Sequence, residues 1–211
     1  MERGRFITIE GIEGSGKTSQ ASALAQALRD EGRSVQLTHE PGGTSVGEAL
    51  RAIFLDPTIQ LAASAELLLV LADRAQHVNL LLKPALERGE VVISDRYSDS
   101  TIAYQGYGRG LDLARVQKLN AFASDGLMPD RTIVLDCPVE LGLARARRRS
   151  AGVGAPDRFE AAALEFHRRV REGFCQLARL NPQRIRLIDS SGDRAQVHAQ
   201  IMAVAREALT G

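Results

Sequence analysis

Eight residues near the start of the chain, Gly11-Ile12-Glu13-Gly14-Ser15-Gly16-Lys17-Thr18, have the spacing G-x-x-x-x-G-K-[ST]. Such a loop wraps a phosphate with backbone N–H groups. Its glycines adopt dihedrals that a β-carbon forbids, and the following helix adds the positive end of its dipole. Lys17 would reach the β- and γ-phosphates of a nucleoside triphosphate, and the Thr18 hydroxyl would bind Mg²⁺. A second constellation is Ile93-Ser94-Asp95-Arg96-Tyr97, followed by Ser100-Thr101-Ile102-Ala103-Tyr104-Gln105. An arginine beside an acid suits a transferring phosphoryl group. The guanidinium binds its oxygens, while the carboxylate organises metal-bound water or orients the arginine. An ion pair capping a strand would use the same two residues.

Two further groups carry charge in unusual places. Glu66, Val70, Asp73, Arg74 and His77 recur at helical spacing within the most apolar stretch of the chain, as either a solvated stripe or the wall of an acceptor pocket. Arg145, Arg147, Arg148 and Arg149 place four guanidiniums in five residues. With Gly152, Gly154 and Pro156 they read as a mobile basic segment, over about 145–159, that could close on ATP and supply charge in the transition state. The four histidines have no metal-ligand spacing.

The elements that must position these groups alternate between strand and helix. Arg5–Glu10 reads as a buried strand and Thr18–Asp30 as a helix stopped by Gly32, with a second strand over Ser34–His39. Glu40-Pro41-Gly42-Gly43-Thr44 is a turn-rich loop before a helix over 45–55. A long helix over Ala63–Glu87 should kink near Pro84. Strands are expected at 90–95, 131–136 and 184–189, with helices at about 112–124, from Pro138, at 160–180 and at the end. This order implies an α/β fold of the phosphate-loop NTPase type: a five-stranded parallel sheet with helices on both faces, in one domain over 1–211. Ligands of such sheets bind beyond the carboxyl ends of the strands, where Glu10–Thr18, Glu40–Thr44, Asp95–Tyr97 and Asp136 gather.

With 27 Lys and Arg against 26 Asp and Glu, no global field attracts nucleic acid or a membrane. The apolar run Leu61–Leu82 is broken by Glu66, Asp73, Arg74 and His77, so it reads as a buried helix and not a membrane span. Two cysteines without CxxC spacing, and no signal peptide, suggest free thiols and a cytoplasmic setting.

On these residues the chain resembles the thymidylate kinases of the nucleoside monophosphate kinase group over nearly its whole length. The most specific part is Ile93–Gln105. Glu40-Pro41-Gly42-Gly43-Thr44 and Tyr104-Gln105-Gly106-Tyr107-Gly108-Arg109-Gly110 are similar to bacterial members. The resemblance implies a closing lid, a homodimer, Mg²⁺, and phosphate transfer from ATP to dTMP. It implies that Glu13 lies near the acceptor sugar and phosphate, with Glu40 also at the acceptor, and that Arg51 and Arg96 hold the acceptor phosphate. Arg74, Thr101 and Gln105 would meet thymine, and Tyr104 would crowd a ribose 2′-hydroxyl. Gly14 directly after the acid, together with a basic lid (Arg147 and Arg149 its candidate catalytic residues), matches the bacterial-type arrangement. Two positions depart from the pattern. His39 stands where many bacterial relatives have arginine, and Val70 where an aromatic ring usually stacks on thymine.

Two other readings predict different residues. A deoxynucleoside kinase takes a neutral acceptor, which does not need both Arg51 and Arg96. A GTP-dependent switch needs a guanine-reading N-K-x-D, absent here, and the one D-x-x-G, Asp189–Gly192, follows the last strand.

Overall fold

The computed structural model describes residues 3–151, 157–160 and 162–210. Five strands form one parallel sheet in the order β2-β3-β1-β4-β5: β1 (Phe6–Gly11), β2 (Val35–His39), β3 (Val91–Asp95), β4 (Arg131–Asp136) and β5 (Ile185–Asp189). The expected fold class is the one found. The register sets Ile9, His39 and Asp95 side by side across β1, β2 and β3, and Gly11 beside Leu135 of β4. The carboxyl ends carrying the polar motifs therefore finish at one edge.

The two-residue period of a strand sorts the core. Ile7, Ile9, Ile93, Ile133 and Leu135 face one side. There they pack against α1 (Lys17–Asp30) and α9 (Arg194–Thr210) through Leu24, Leu28, Val197 and Ile201. The alternate residues Thr8, Glu10 and Thr132 are also fully buried and make a polar layer. Thr8 and Thr132 hydroxyls meet at 2.8 Å, and the Asp99 carboxylate takes two bonds from Arg184, at 2.7 and 2.8 Å. On the far side a larger apolar cluster joins α2 (Ser45–Leu55), α3 (Ala63–His77) and α8 (Leu164–Leu180) through Phe54, Leu67, Val70, Tyr104, Phe166 and Phe174.

Four segments differ from the sequence expectation. The long helix does not simply kink at Pro84. Its α-helical turns end at His77, a π-helical stretch spans Val78–Leu82, and α4 (Lys83–Glu87) follows. The wider turn comes just before a proline that lacks an N–H and whose ring crowds the preceding turn. A second π-helical stretch, Ile102–Gly108, follows the short α5 (Ser98–Thr101) and precedes α6 (Leu113–Ala123), which Asp112 caps by accepting from Arg115 N–H at 2.8 Å. The arginine cluster lies on α7 (Val139–Ser150), a regular helix, since arginine is a good helix former. Gly152, Gly154 and Pro156 lie outside the described residues. Beyond them α8 starts at Leu164, not Glu160, because Asp157 Oδ1 first takes the N–H groups of Phe159 and Glu160 in a turn.

Candidate active site

Gly11, Gly14 and Gly16 have φ values of 141°, 70° and 97°, which let the loop curl between β1 and α1. Gly14 has a second constraint. A β-carbon there would stand 1.9 Å from the Gly142 carbonyl of α7, so only glycine lets that helix pack on the loop. Ile12 sends its side chain into the core, while its carbonyl accepts from Lys17 Nζ at 2.8 Å. Burial first, then the Arg96 charge, pull the Lys17 ammonium down to about 8 against the opposing pull of Asp95, Glu13 and Glu10. Thr18 Oγ1 donates to Asp95 Oδ2 at 2.5 Å, and Asp95 Oδ1 is buried with no hydrogen-bond partner. These hard oxygens, one of them unsatisfied, fit a Mg²⁺ ion that takes its other ligands from phosphate and water. Among the described residues no group of three or more His, Cys, Asp or Glu could hold a metal by itself.

Adjacent strands bring the second constellation beside this loop. Arg96 Nη2 donates to Glu13 Oε1 at 3.0 Å, and its Nη1 to the Gly11 carbonyl at 3.2 Å. Glu13 Oε1 also accepts from the Tyr104 hydroxyl at 2.6 Å, and His167 Nδ1 lies 3.2 Å from Oε2. Burial alone would raise the Glu13 carboxyl. His167, Arg96, Lys17 and Tyr104 outweigh it and hold the acid below the usual carboxylate range. Glu13 is therefore an anion at neutral pH.

A second network orders the apolar helix. Arg74, 1% exposed, gives Nε and Nη2 to Glu40 Oε2 at 3.0 and 2.8 Å, and Nη1 to the Thr101 hydroxyl at 2.9 Å and to Asn120 Oδ1. His77 Nδ1 meets Glu40 Oε1 at 2.8 Å. Burial would raise Glu40 too, but Arg74 and His77 hold it low. Gln105 Nε2 donates to Glu66, which also takes bonds from Arg109 and Arg158. Of the charged face, then, Arg74 and the apolar Val70 reach the cavity described below. Glu66, Asp73 and His77 are buried behind it.

Asp73 carries a pH signature. Burial and the nearby Glu40 push its carboxyl from 3.8 up to about 7. Between those values the folded state keeps a proton that the unfolded chain has lost, so rising pH erodes stability, by at most about 1.4 kcal/mol per pH unit for one proton. Asp73→Asn should gain on the wild type steadily from pH 4 to 7 in denaturant titrations and hold a constant lead above that. A gap that does not change with pH would contradict this.

Two cavities flank the loop. The larger, about 760 Å³, is lined by Glu13, Lys17, Thr18, Glu40, Arg51, Val70, Arg74, Asp95, Arg96, Thr101, Tyr104, Gln105 and Arg149. It thus collects every residue that the family resemblance assigns to the acceptor, while Glu66, Asp73 and His77 of the charged stripe do not line it. The smaller, about 280 Å³, lies against Gly14, Ser15 and Gly16 and is closed by Arg145, Ser190, Gly192 and Arg194. Gly14 and Ser19 line both. Arg147 is exposed on α7 and lines neither, whereas Arg149 pairs with Glu160 at 2.7 Å.

Two lining roles escaped the sequence reading. Phe159 enters the larger cavity beside Phe54, ring centroids 5.0 Å apart, from the turn after the basic segment. Arg145 donates to the Ser190 and Ser191 carbonyls at 2.9 and 3.0 Å, closing the smaller cavity against the end of β5. The usable signal was the polar Asp189-Ser190-Ser191-Gly192 at a strand's carboxyl end.

The family model for thymidylate kinase matches residues 9–201. A thymidylate kinase of Carboxydothermus hydrogenoformans is 52% identical over 187 residues, 89% of each chain. One from Nitratidesulfovibrio vulgaris is 49% identical over 97% of each chain, and one from Deinococcus radiodurans 48% over 98%. The crystal structure of thymidylate kinase from Ehrlichia chaffeensis superposes with a TM-score of 0.76 at 36% identity, covering 96% of this chain and 99% of that one.

Proposed function

The chain belongs to the thymidylate kinase family and converts dTMP to dTDP, and we propose that it takes the phosphate from ATP across the loop at Gly11–Thr18, with ATP in the smaller cavity and dTMP in the larger. The observation that carries this division is that Gly14 and Ser19 line both cavities, so a donor and an acceptor phosphate would meet at the loop.

In this reading the loop N–H groups and Lys17 hold the donor phosphates and follow negative charge as it moves to the β–γ bridge. Thr18 and Asp95 would hold Mg²⁺, which would neutralise charge on the donor phosphates. Arg51, whose Nη1 donates to the Pro41 carbonyl at 2.8 Å, and Arg96 grip the dTMP phosphate. Glu13, anionic and bonded to Arg96 and Tyr104, fixes both groups beside the acceptor sugar. Arg74, Thr101 and Gln105 read the thymine edge within the network that Glu40 and Glu66 order. The arginine-bearing end of α7 closes over the reaction, with Arg147 or Arg149 adding charge in the closed state.

Wider features fit the same reading. Val46 and Ile53 of α2, Leu68 of α3 and Phe122 of α6 are exposed on helices that pack side by side, an apolar surface suited to a homodimer. No helix among the described residues is long and apolar enough to cross a membrane, and Cys137 and Cys175 are free, as suits a cytoplasmic enzyme.

Adenosine and thymidine joined 5′ to 5′ through five phosphates would test the two-cavity division. It should inhibit competitively against both ATP and dTMP; competition against only one would contradict it.

Val70 offers a second test. Valine covers part of a thymine face without an extended π surface, and base stacking is worth about 1–3 kcal/mol where measured by truncation. Val70→Phe should lower KM for dTMP several-fold and change KM for ATP little, with a thermal melt excluding overpacking. An unchanged KM in a stable variant would mean that Phe54 or Phe159 already supplies the ring.

A further inference from the structure

Arg96 sits at a φ of +73°, one of two non-glycine residues among those described in the left-handed region. That conformation is disfavoured for a long L side chain and persists only where neighbours over-determine it. Arg96 N–H donates to the Ile9 carbonyl at 3.0 Å, and Ser94 Oγ–H donates to the Arg96 carbonyl at 2.7 Å. The next contacts come from one side chain. Glu10 Oε1 accepts from Tyr97 N–H at 2.7 Å, and Glu10 Oε2 shares a hydrogen bond with Ser100 Oγ at 2.5 Å. Ser100 Oγ in turn lies 3.3 Å from Arg96 Nη1.

We infer that Glu10 is a positioning residue for phosphoryl transfer. Its carboxyl grips the Tyr97–Ser100 turn at both ends and so aims the Arg96 guanidinium at the acceptor phosphate. The inference rests on the acceptor role proposed for Arg96 and extends it to a residue that touches no substrate. Glu10 lies on β1, one residue before the phosphate loop, and is 0% exposed. The same carboxyl therefore ties the strand that ends in the donor loop to the turn that carries the acceptor's arginine. The neighbouring buried ionic network does not need it, because Asp99 is satisfied by Arg184 and the Thr132 hydroxyl. Burial, then the Asp99 charge, push the Glu10 carboxyl up to about 8, so glutamine copies its shape and its prevailing charge near neutrality.

The test is a kinetic cycle of wild type, Glu10→Leu, Arg96→Ala and the double variant, with kcat and KM for dTMP and ATP and a melt for each. Glu10→Leu should lower kcat/KM for dTMP roughly 10- to 100-fold through misorientation, with KM for ATP held within about twofold. In the Arg96→Ala background the same substitution should cost nothing further. Glu10→Gln should stay within about threefold of wild type, because it keeps an acceptor for Tyr97 N–H. Should Glu10→Leu fail to fold, Ser100→Ala takes its place in the cycle, with a smaller loss in the same direction. A large loss in Arg96→Ala with an undiminished Glu10 effect in the double variant would overturn the inference alone. Little loss in Arg96→Ala would remove the reading of Arg96 and this inference with it.

Discussion

Lys17→Ala should leave a folded protein with almost no turnover, its kcat reduced by on the order of 10²-fold or more while ATP still binds. Two features set that split. The ammonium bonds to the Ile12 carbonyl inside the loop, and in the proposed function it faces the charge that builds as the β–γ bond breaks. Ground-state binding is shared with the backbone N–H groups of Gly11–Thr18, so losing one cation weakens ATP binding less than it weakens the transition state. Stability should not suffer. Burial already disfavours the Lys17 charge, and relief of that cost offsets the loss of its bond to the Ile12 carbonyl. Steady-state kinetics with a calorimetric melt would check both halves. Near-wild-type kcat would remove the assignment of the loop.

Arg96→Ala should be nearly as damaging, with a different kinetic signature. Its guanidinium is fixed by Glu13, the Gly11 carbonyl and Ser100, so it would meet the proposed acceptor phosphate already oriented. Losing a preorganised, charge-assisted fork should cost about 10²- to 10³-fold in kcat/KM for dTMP, with KM for ATP nearly unchanged. Arg96→Lys should recover little, because an ammonium cannot span the same acceptors bidentately. A rise in KM for ATP equal to that for dTMP would place Arg96 on the donor side instead.

What the sequence made legible was local chemistry. The loop, the Asp95-Arg96 pair and the alternation of strands and helices are written in contiguous residues, and parallel pairing then brings their ends together. The π-helical stretches at Val78–Leu82 and Ile102–Gly108 were not legible, because one extra residue per turn barely alters an apolar period. Nor was the hub at Glu66, whose partners Arg109 and Arg158 lie 43 and 92 residues away. The smaller cavity was missed for another reason. Ser190, Gly192 and the carbonyls that hold Arg145 contribute backbone and shape, which carry no titratable motif. The helical form of the α7 arginines was not legible, because Gly152, Gly154 and Pro156 just beyond them signal irregular backbone.

The central claim is that two guanidiniums, Arg51 and Arg96, make the larger cavity a site for a nucleotide that already bears a phosphate. The most direct measurement is kcat/KM with saturating ATP for dTMP against thymidine, with dUMP, UMP and CMP alongside. dTMP should exceed thymidine by on the order of 10⁴-fold, because a neutral acceptor lacks the anion that Arg51 and Arg96 would grip and the phosphate oxygen that would attack. dUMP should trail dTMP by only about 10- to 200-fold, the worth of one methyl in a pocket. Thymidine phosphorylated as efficiently as dTMP would contradict the account.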